Sequence, residues 1–327
     1  MDRKKANNMS EIEENIPTFQ DIDEAHERIL PYIHFTPVLT SDTINDFTGA
    51  KVWFKCENLQ KIGAFKIRGA LNAVLLLPPE FKEKGVATHS SGNHAQALAR
   101  AARQNGLKAY IVMPENAPKA KKNAVIGYGA EVTTCIPTLE ARETKLQELV
   151  DKTGATFIHP YNNYRVIAGQ ATAAYELLQE IADLDIIITP IGGGGLISGT
   201  ALIAHYVSPD TQVIGGEPSG ADDAFQSLKA GKIVAKEKPE SIADGLLATL
   251  GTKPFNIIQK HVSQIITVEE EEIIAAMKMI WERMKIIVEP SASVPLAALL
   301  KSKKQFSGKR IGIILSGGNV DLENLPF

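Results

Sequence analysis

Residues 185–199 read DIIITPIGGGGLISG, an apolar run that opens into four consecutive glycines and resumes as LISG. A continuously apolar run bounded by glycine fits a strand covered on both faces, as parallel sheets require. Gly192, Gly193, Gly194 and Gly195, followed by Leu196, let main-chain N–H groups crowd one phosphate at the positive end of the next helix. Four glycines cost more backbone entropy than a turn alone needs, so a ligand is expected there. The dinucleotide spacing G-x-G-x-x-G fails in every register, although Glu217 ends the next strand candidate about where a ribose-binding acid would lie. The P-loop spacing fails too, because Thr200 stands where lysine is required.

Far upstream, residues 63–70 read GAFKIRGA and set Lys66 among small and apolar neighbours. Burial lowers an ammonium pKa and frees a neutral amine for an imine bond. An imine-forming lysine together with a phosphate cradle is what a phosphorylated aldehyde needs, and pyridoxal phosphate is the cofactor this pairing suggests. Residues 89–99, HSSGNHAQALA, end a strand and open a helix, so Ser90, Ser91 and Asn93 offer polar groups where a substrate carboxylate is favoured. Read as structure alone, Ser90 or Ser91 would be an N-cap. Residues 315–321, LSGGNVD, bring Ser316 to a strand end, facing a cofactor ring.

Strand candidates at Lys51–Cys56, Val86–His89, Ala109–Met113, Glu131–Cys135, Thr156–Ile158, Asp185–Ile191, Gln212–Glu217, Gln264–Val268 and Arg310–Leu315 alternate with helical patterns. Those patterns include His94–Asn105, Ala120–Gly127, Leu139–Lys152, Val166–Ile181 and Glu269–Lys285. The fold class is α/β, with mostly parallel sheets in two α/β domains and the active site in the cleft between them. The expected division is a large discontinuous domain, 1–84 plus 162–327, and a small mobile domain, 85–161. The N-terminal stretch MDRKKANNMSEIEEN reads as a polar tail, with the fold starting near Pro17.

A net charge of −3 removes the electrostatic case for nucleic acid or an anionic membrane. Apolar runs stop well short of bilayer length, and no apolar segment follows the basic N-terminus as a signal peptide needs. Cys56 and Cys135 make neither a disulfide framework nor a metal spacing, which fits reduced thiols in a cytoplasmic protein. None of the histidines forms an i,i+4 pair with another, so helical zinc chemistry is not expected.

Taken in order, FTPVLTSDTIN, FKCENLQKIGAFKIRGALNAV, HSSGNHAQAL, GGGGLISG, EPSGADDAFQS, SIADG, WERMKIIVEPSAS and LSGGNVDL resemble the fold-type II pyridoxal phosphate enzymes, the tryptophan synthase β-like group. Within it the match is to the serine racemase and serine/threonine dehydratase family, over nearly the whole chain. The resemblance implies that Lys66 is the Schiff-base lysine and the base on one cofactor face, with Ser91 the acid/base on the other. It implies that Asn93 bonds the ring hydroxyl, that Phe65 packs near the ring, that Gly192 to Leu196 hold the phosphate, and that Ser316 meets the pyridine nitrogen. Ser90, Ser91, Asn93 and His94 match the carboxylate-binding turn, and Arg142 matches a substrate-side arginine. A serine at the ring nitrogen leaves the ring neutral, which disfavours transamination and favours elimination or reprotonation.

The resemblance further implies a divalent cation, Mg²⁺, Mn²⁺ or Ca²⁺, on Glu217, the Ala221 carbonyl and Asp223; oxygen-only ligands suit such ions. Without it, the same stretch reads as a loop acid followed by a capping Asp222. The family is usually dimeric, and ATP activates some of its members, with Asn319 near that site. The expected activity is racemisation of serine with dehydration of L-serine and L-threonine, an ammonia-lyase reaction on β-hydroxy-α-amino acids. Leu246, Leu247 and Ala248 are more apolar than the hydroxyl-bearing run of racemases, which leaves threo-3-hydroxyaspartate dehydratase and threonine dehydratase open. Biosynthetic threonine dehydratases typically carry alanine where Ser91 stands and a C-terminal regulatory domain, for which little chain follows Ser316. A non-catalytic pyridoxal phosphate carrier or nucleotide-binding regulator is the reading from another class, and retention of both Lys66 and Ser91 speaks against it.

Overall fold

The computed structural model describes residues 15–117 and 119–327, so most of the N-terminal stretch read as a tail lies outside the described residues. The strands are β1 (Val38–Leu39), β2 (Lys51–Cys56), β3 (Val86–His89), β4 (Ala109–Pro114), β5 (Glu131–Cys135), β6 (Thr156–Phe157), β7 (Ile186–Pro190), β8 (Gln212–Pro218), β9 (Gln264–Val268) and β10 (Arg310–Leu315). Among the described residues they form a six-stranded sheet, ordered β1-β2-β10-β7-β8-β9, and a four-stranded sheet, ordered β5-β4-β3-β6. Every neighbouring pair is parallel except β1 with β2.

Each expected strand is present, with ends trimmed or extended by a residue or so, and β1 is an addition. All of β7 is buried, and its alternate residues serve opposite layers. Ile187 joins Leu177, Ile197 and Ala201 on the side of helices Tyr164–Glu180 and Gly195–Val207. Ile186 and Ile188 join Met277 and Val294 on the side of helices Glu270–Met284 and Pro290–Lys301. Burial on both faces is why this strand reads as unbroken isoleucine rather than as an alternation.

Lys66 is the first residue of helix Lys66–Leu75, which crosses helix Tyr164–Glu180 very closely. A Cβ on Gly169 would lie 2.6 Å from the Gly69 Cα, so the crossing requires glycine. Two residues into the same helix, Arg68 is fully buried and meets Glu57 at 2.7 Å and Glu176 at 2.6 Å. Lys55, also fully buried, meets Glu176 at 2.8 Å. Opposite charges with several hydrogen bonds each are the condition under which buried ions are tolerated. The network fixes the helix that begins with Lys66. The carboxyl ends of β3, β7 and β10 lead into Ser90, the glycine turn and Ser316, and all of these border one cavity.

Candidate active site

The cavity encloses about 630 Å³ and brings together Phe65, Lys66, Ser90, Ser91, Asn93, His94, Arg142, the Gly192–Leu196 turn and Ser316. Each of these was expected from sequence, and they come from both sheets.

The Lys66 amine donates to the Pro160 carbonyl at 3.3 Å and lies 5.0 Å from the centre of the Phe65 ring. Burial brings its pKa down to about 8, with Glu289 acting in the opposite direction. More neutral amine is therefore present near neutral pH than an ordinary lysine offers, as imine formation needs. The Gly195–Val207 helix has Gly194 as its N-cap, at φ +89°, and no side chain caps it. A Cβ on Gly193 would meet the Tyr161 ring at 2.4 Å, and one on Gly192 the Leu246 main chain at 2.9 Å. Side chains are excluded on the protein side, so the turn offers bare main chain to the cavity, and it fits a phosphate. Ser316 follows β10 and is buried.

Helix Asn93–Gln104 corrects the capping expectation for the serines. Its N-cap is Gly92, no side-chain cap is made, and the Ser90 hydroxyl instead accepts the Gly92 N–H at 3.3 Å. His94 Nε2 lies 3.1 Å from the Ile158 carbonyl, which can only accept, so Nε2 carries the hydrogen. Its Nδ1 is buried without a partner among the described residues, and burial followed by Lys66 pushes the ring pKa down to about 3. A neutral ring with a bare Nδ1 accepts a hydrogen bond but gives none to a carboxylate. Any donation from this position to a carboxylate comes from main-chain N–H.

Several cavity groups had no assigned role in the sequence reading. Lys121, from helix Lys119–Gly127, pairs with Asp244, and Lys236 pairs with Asp222 at 2.7 Å. His89 and His159 are held neutral, at about 4 and about 3, burial being the main cause for both. Glu289 is 5% exposed and accepts from Asn93 Nδ2 at 2.9 and 3.2 Å. It lies in the quoted segment WERMKIIVEPSAS, but a glutamate before Pro290 reads only as a helix start.

Outside the cavity lining, Glu217 and Asp223 are buried near one another, at 1% and 3% exposure. Glu217 accepts the Ala224 and Phe225 N–H groups at 2.9 and 2.8 Å, and Asp223 accepts that of Leu250 at 2.8 Å. Glu217, rather than Asp222, therefore caps helix Asp223–Ala230, and Asp222 turns to Lys236. Among the described residues no group of three or more His, Cys, Asp or Glu side chains converges. Among the described residues no ion pair neutralises these two carboxylates, and carboxylate oxygens are the ligand type a hard divalent cation takes.

The chain matches the family model for pyridoxal-phosphate dependent enzymes over residues 29–317. It belongs to that family. The enzyme is 51% identical over 312 residues to the beta-hydroxyaspartate dehydratase of Paracoccus denitrificans (strain Pd 1222), covering 95% of this chain and 99% of that one. It is 53% identical over 312 residues to the serine racemase of Dictyostelium discoideum, covering 94% and 96% of the two chains. The crystal structure of a Dictyostelium discoideum serine racemase superposes with a TM-score of 0.90 at 52% identity, covering 94% of this chain and all of that one. The α/β fold with mostly parallel sheets is thus that of fold-type II pyridoxal phosphate enzymes. Among the described residues no helix is long and apolar enough to cross a membrane.

Proposed function

We propose that the enzyme racemises serine and dehydrates L-serine and L-threonine, using Lys66 and Ser91 on opposite faces of pyridoxal phosphate. The observation that carries this reading is the convergence of Lys66, Ser91, the glycine turn and Ser316 on one cavity. The cofactor, when bound, supplies an electron sink for the pair left behind as the Cα proton departs. The Lys66 amine, when not bonded to the cofactor, would take that proton on one face. The uncapped start of helix Asn93–Gln104, with Ser90 beside it, holds the substrate carboxylate. Ser91 returns a proton on the other face to give the enantiomer, or the β-hydroxyl, once protonated, leaves as water and a second water hydrolyses the released enamine to a keto acid and ammonia. Gly192 to Leu196 would hold the phosphate, Asn93 the ring hydroxyl, and the Ser316 hydroxyl the pyridine nitrogen, where an uncharged partner would leave that nitrogen neutral.

A second reading has its own support. Lys121 and Lys236 are paired with aspartates, whereas Arg142 donates only to the Thr138 carbonyl, at 3.4 Å, and no carboxylate of the described residues pairs with it. A free guanidinium beside an α-carboxylate site suits a substrate with a second carboxylate, such as threo-3-hydroxyaspartate. The relative named beta-hydroxyaspartate dehydratase agrees with this reading.

Glu217, Asp223 and the Ala221 carbonyl would hold Mg²⁺, Mn²⁺ or Ca²⁺. We place the enzyme in the cytoplasm as a homodimer, with residues 85–161 as its mobile small domain; the free, buried Cys56 and Cys135 are consistent with a reducing compartment. The deciding experiment is a substrate panel of L- and D-serine, L-threonine and L-threo-3-hydroxyaspartate, with and without Mg²⁺ and ATP. Keto acid release and chiral product analysis are read together. Silence on every substrate, with pyridoxal phosphate bound, would leave the carrier reading.

A further inference from the structure

The Asn93 side chain is locked from two sides. Its Nδ2 donates to both Glu289 oxygens, at 2.9 and 3.2 Å, and its Oδ1 accepts from Asn319 Nδ2 at 2.8 Å. An amide can be turned end for end, and only its partners decide which end faces where. An ionised carboxylate accepts and cannot donate, so it holds Nδ2 on its own side. Asn319 contributes from the other side, and is itself tied down by donation from Nδ2 to the Ile62 carbonyl at 2.8 Å and from its N–H to Glu289 at 3.2 Å.

Apart from the bond it accepts from the Asn319 N–H, Glu289 commits its carboxylate to Asn93. It is the N-cap residue of helix Pro290–Lys301, yet its side chain does not cap that helix. Its N–H is bonded to the Gly317 carbonyl at 3.0 Å, and a Cβ on Gly317 would come within 2.6 Å of Glu289 Oε1. The turn after β10 is thus glycine where the carboxylate needs room. Among the described residues no salt bridge neutralises it, although a buried carboxylate without one is costly. The charged and titratable groups facing it are Lys66 from its own helix start, Lys121 from helix Lys119–Gly127 and Asp244 from the loop before residue 250.

We propose that Glu289 is a positioning residue for the cofactor: its carboxylate orients the Asn93 amide so that the remaining Nδ2 hydrogen meets the cofactor's ring hydroxyl. This rests on the assignment of Asn93 to that hydroxyl. Burial, followed by Asp244, pushes Glu289 up to about 7, so the lock is set above neutral pH and loosens as the carboxylate protonates below it.

The test compares pyridoxal phosphate with 3-deoxypyridoxal phosphate, which lacks the ring hydroxyl, on the full-length chain. Binding is followed by the visible absorbance of the lysine-bound cofactor. Glu289→Gln weakens binding of pyridoxal phosphate by about tenfold, the scale of one charge-assisted hydrogen bond. It leaves the deoxy analogue within about twofold, and in an Asn93→Ala background it has no further effect on either. Glu289→Asp, which keeps the charge, shows the same selectivity in milder form and serves if the glutamine variant does not fold. Equal weakening of both cofactors, or a full loss repeated in the Asn93→Ala background, would show a merely structural role and overturn the proposal. A wild-type chain indifferent to the ring hydroxyl would instead remove the Asn93 assignment beneath it.

Discussion

The Phe65 N–H donates to the Ser316 carbonyl at 3.0 Å, joining the residue before the expected imine lysine to the residue expected at the cofactor's pyridine nitrogen. A bridge between Ala64 and Gly317, and donation from the Gly318 N–H to the Gly63 carbonyl at 2.9 Å, extend the clasp. These contacts are all main chain, so substitutions of the Lys66 and Ser316 side chains test chemistry without undoing the geometry.

Lys66→Ala should remove the visible absorbance of the lysine-bound cofactor and reduce keto acid and D-serine formation by about 10³-fold or more. The same position carries a stability signature in cofactor-free protein. The amine is lowered from 10.5 to about 8, so between those values the unfolded chain holds more protons, and stability rises with pH across that window. The half-buried, desolvated ammonium is therefore a constant cost below pH 8. Lys66→Met should raise the melting temperature at pH 7, by an amount that shrinks toward pH 10.5. A gain that is flat with pH would mean the amine is not desolvated.

Arg68→Met should destabilise the protein by about 3–5 kcal/mol, because the buried Glu57 and Glu176 each lose their guanidinium. Urea titration measures this. A loss under about 1 kcal/mol would mean that Lys55 and water carry the acids without it.

Much of this was legible in the sequence, and the parts that were not have separate causes. The isoleucine run of β7 and the glycine turn are local signals, because burial on both faces and close approach of Leu246 and Tyr161 each restrict residue type at consecutive positions. β1 escaped because two residues show no period. Ser90 or Ser91 as a cap failed by register, since the helix starts at Asn93 with Gly92 in the cap position and no side-chain cap. Asp222 does stand at the cap position of its helix, but the capping oxygens come from Glu217 on the preceding strand. Glu289 acquires its meaning from Asn93, 196 positions away in the chain, and no local pattern encodes that contact.

Metal binding predicts a linked pair of results. A chelator should lower the melting temperature of wild type, and added Mg²⁺ or Ca²⁺ should restore it, since an ion that binds only the folded state stabilises it by mass action. Glu217→Gln, short of one anionic ligand, should be lower from the start and indifferent to both reagents. A wild type unaffected by chelator would remove the cation from the proposal.

Arg142→Gln separates the two substrate readings. If the guanidinium meets a second carboxylate, kcat/KM for L-threo-3-hydroxyaspartate should fall by about tenfold or more, while that for L-serine changes far less. Equal losses on both substrates would assign Arg142 to the α-carboxylate or to closure of the cavity.

Ser91→Ala should split the two reactions. Racemisation needs a proton donor on the face opposite Lys66, whereas elimination from the L-enantiomer needs only Lys66 and a protonated leaving hydroxyl. L-to-D conversion should therefore fall by about 10²-fold or more, the scale of one acid/base group, with L-dehydration largely kept. Dehydration of D-serine should be lost as well, because its Cα proton faces Ser91. The structure strengthens the test, since the helix beginning at Asn93 makes no side-chain cap that the substitution could remove. Ser90 keeps its bond to the Gly92 N–H, so carboxylate binding should weaken only modestly. Chiral chromatography and a keto acid assay on the same variant give the answer. Undiminished D-serine formation would mean that water, or another cavity group, serves that face.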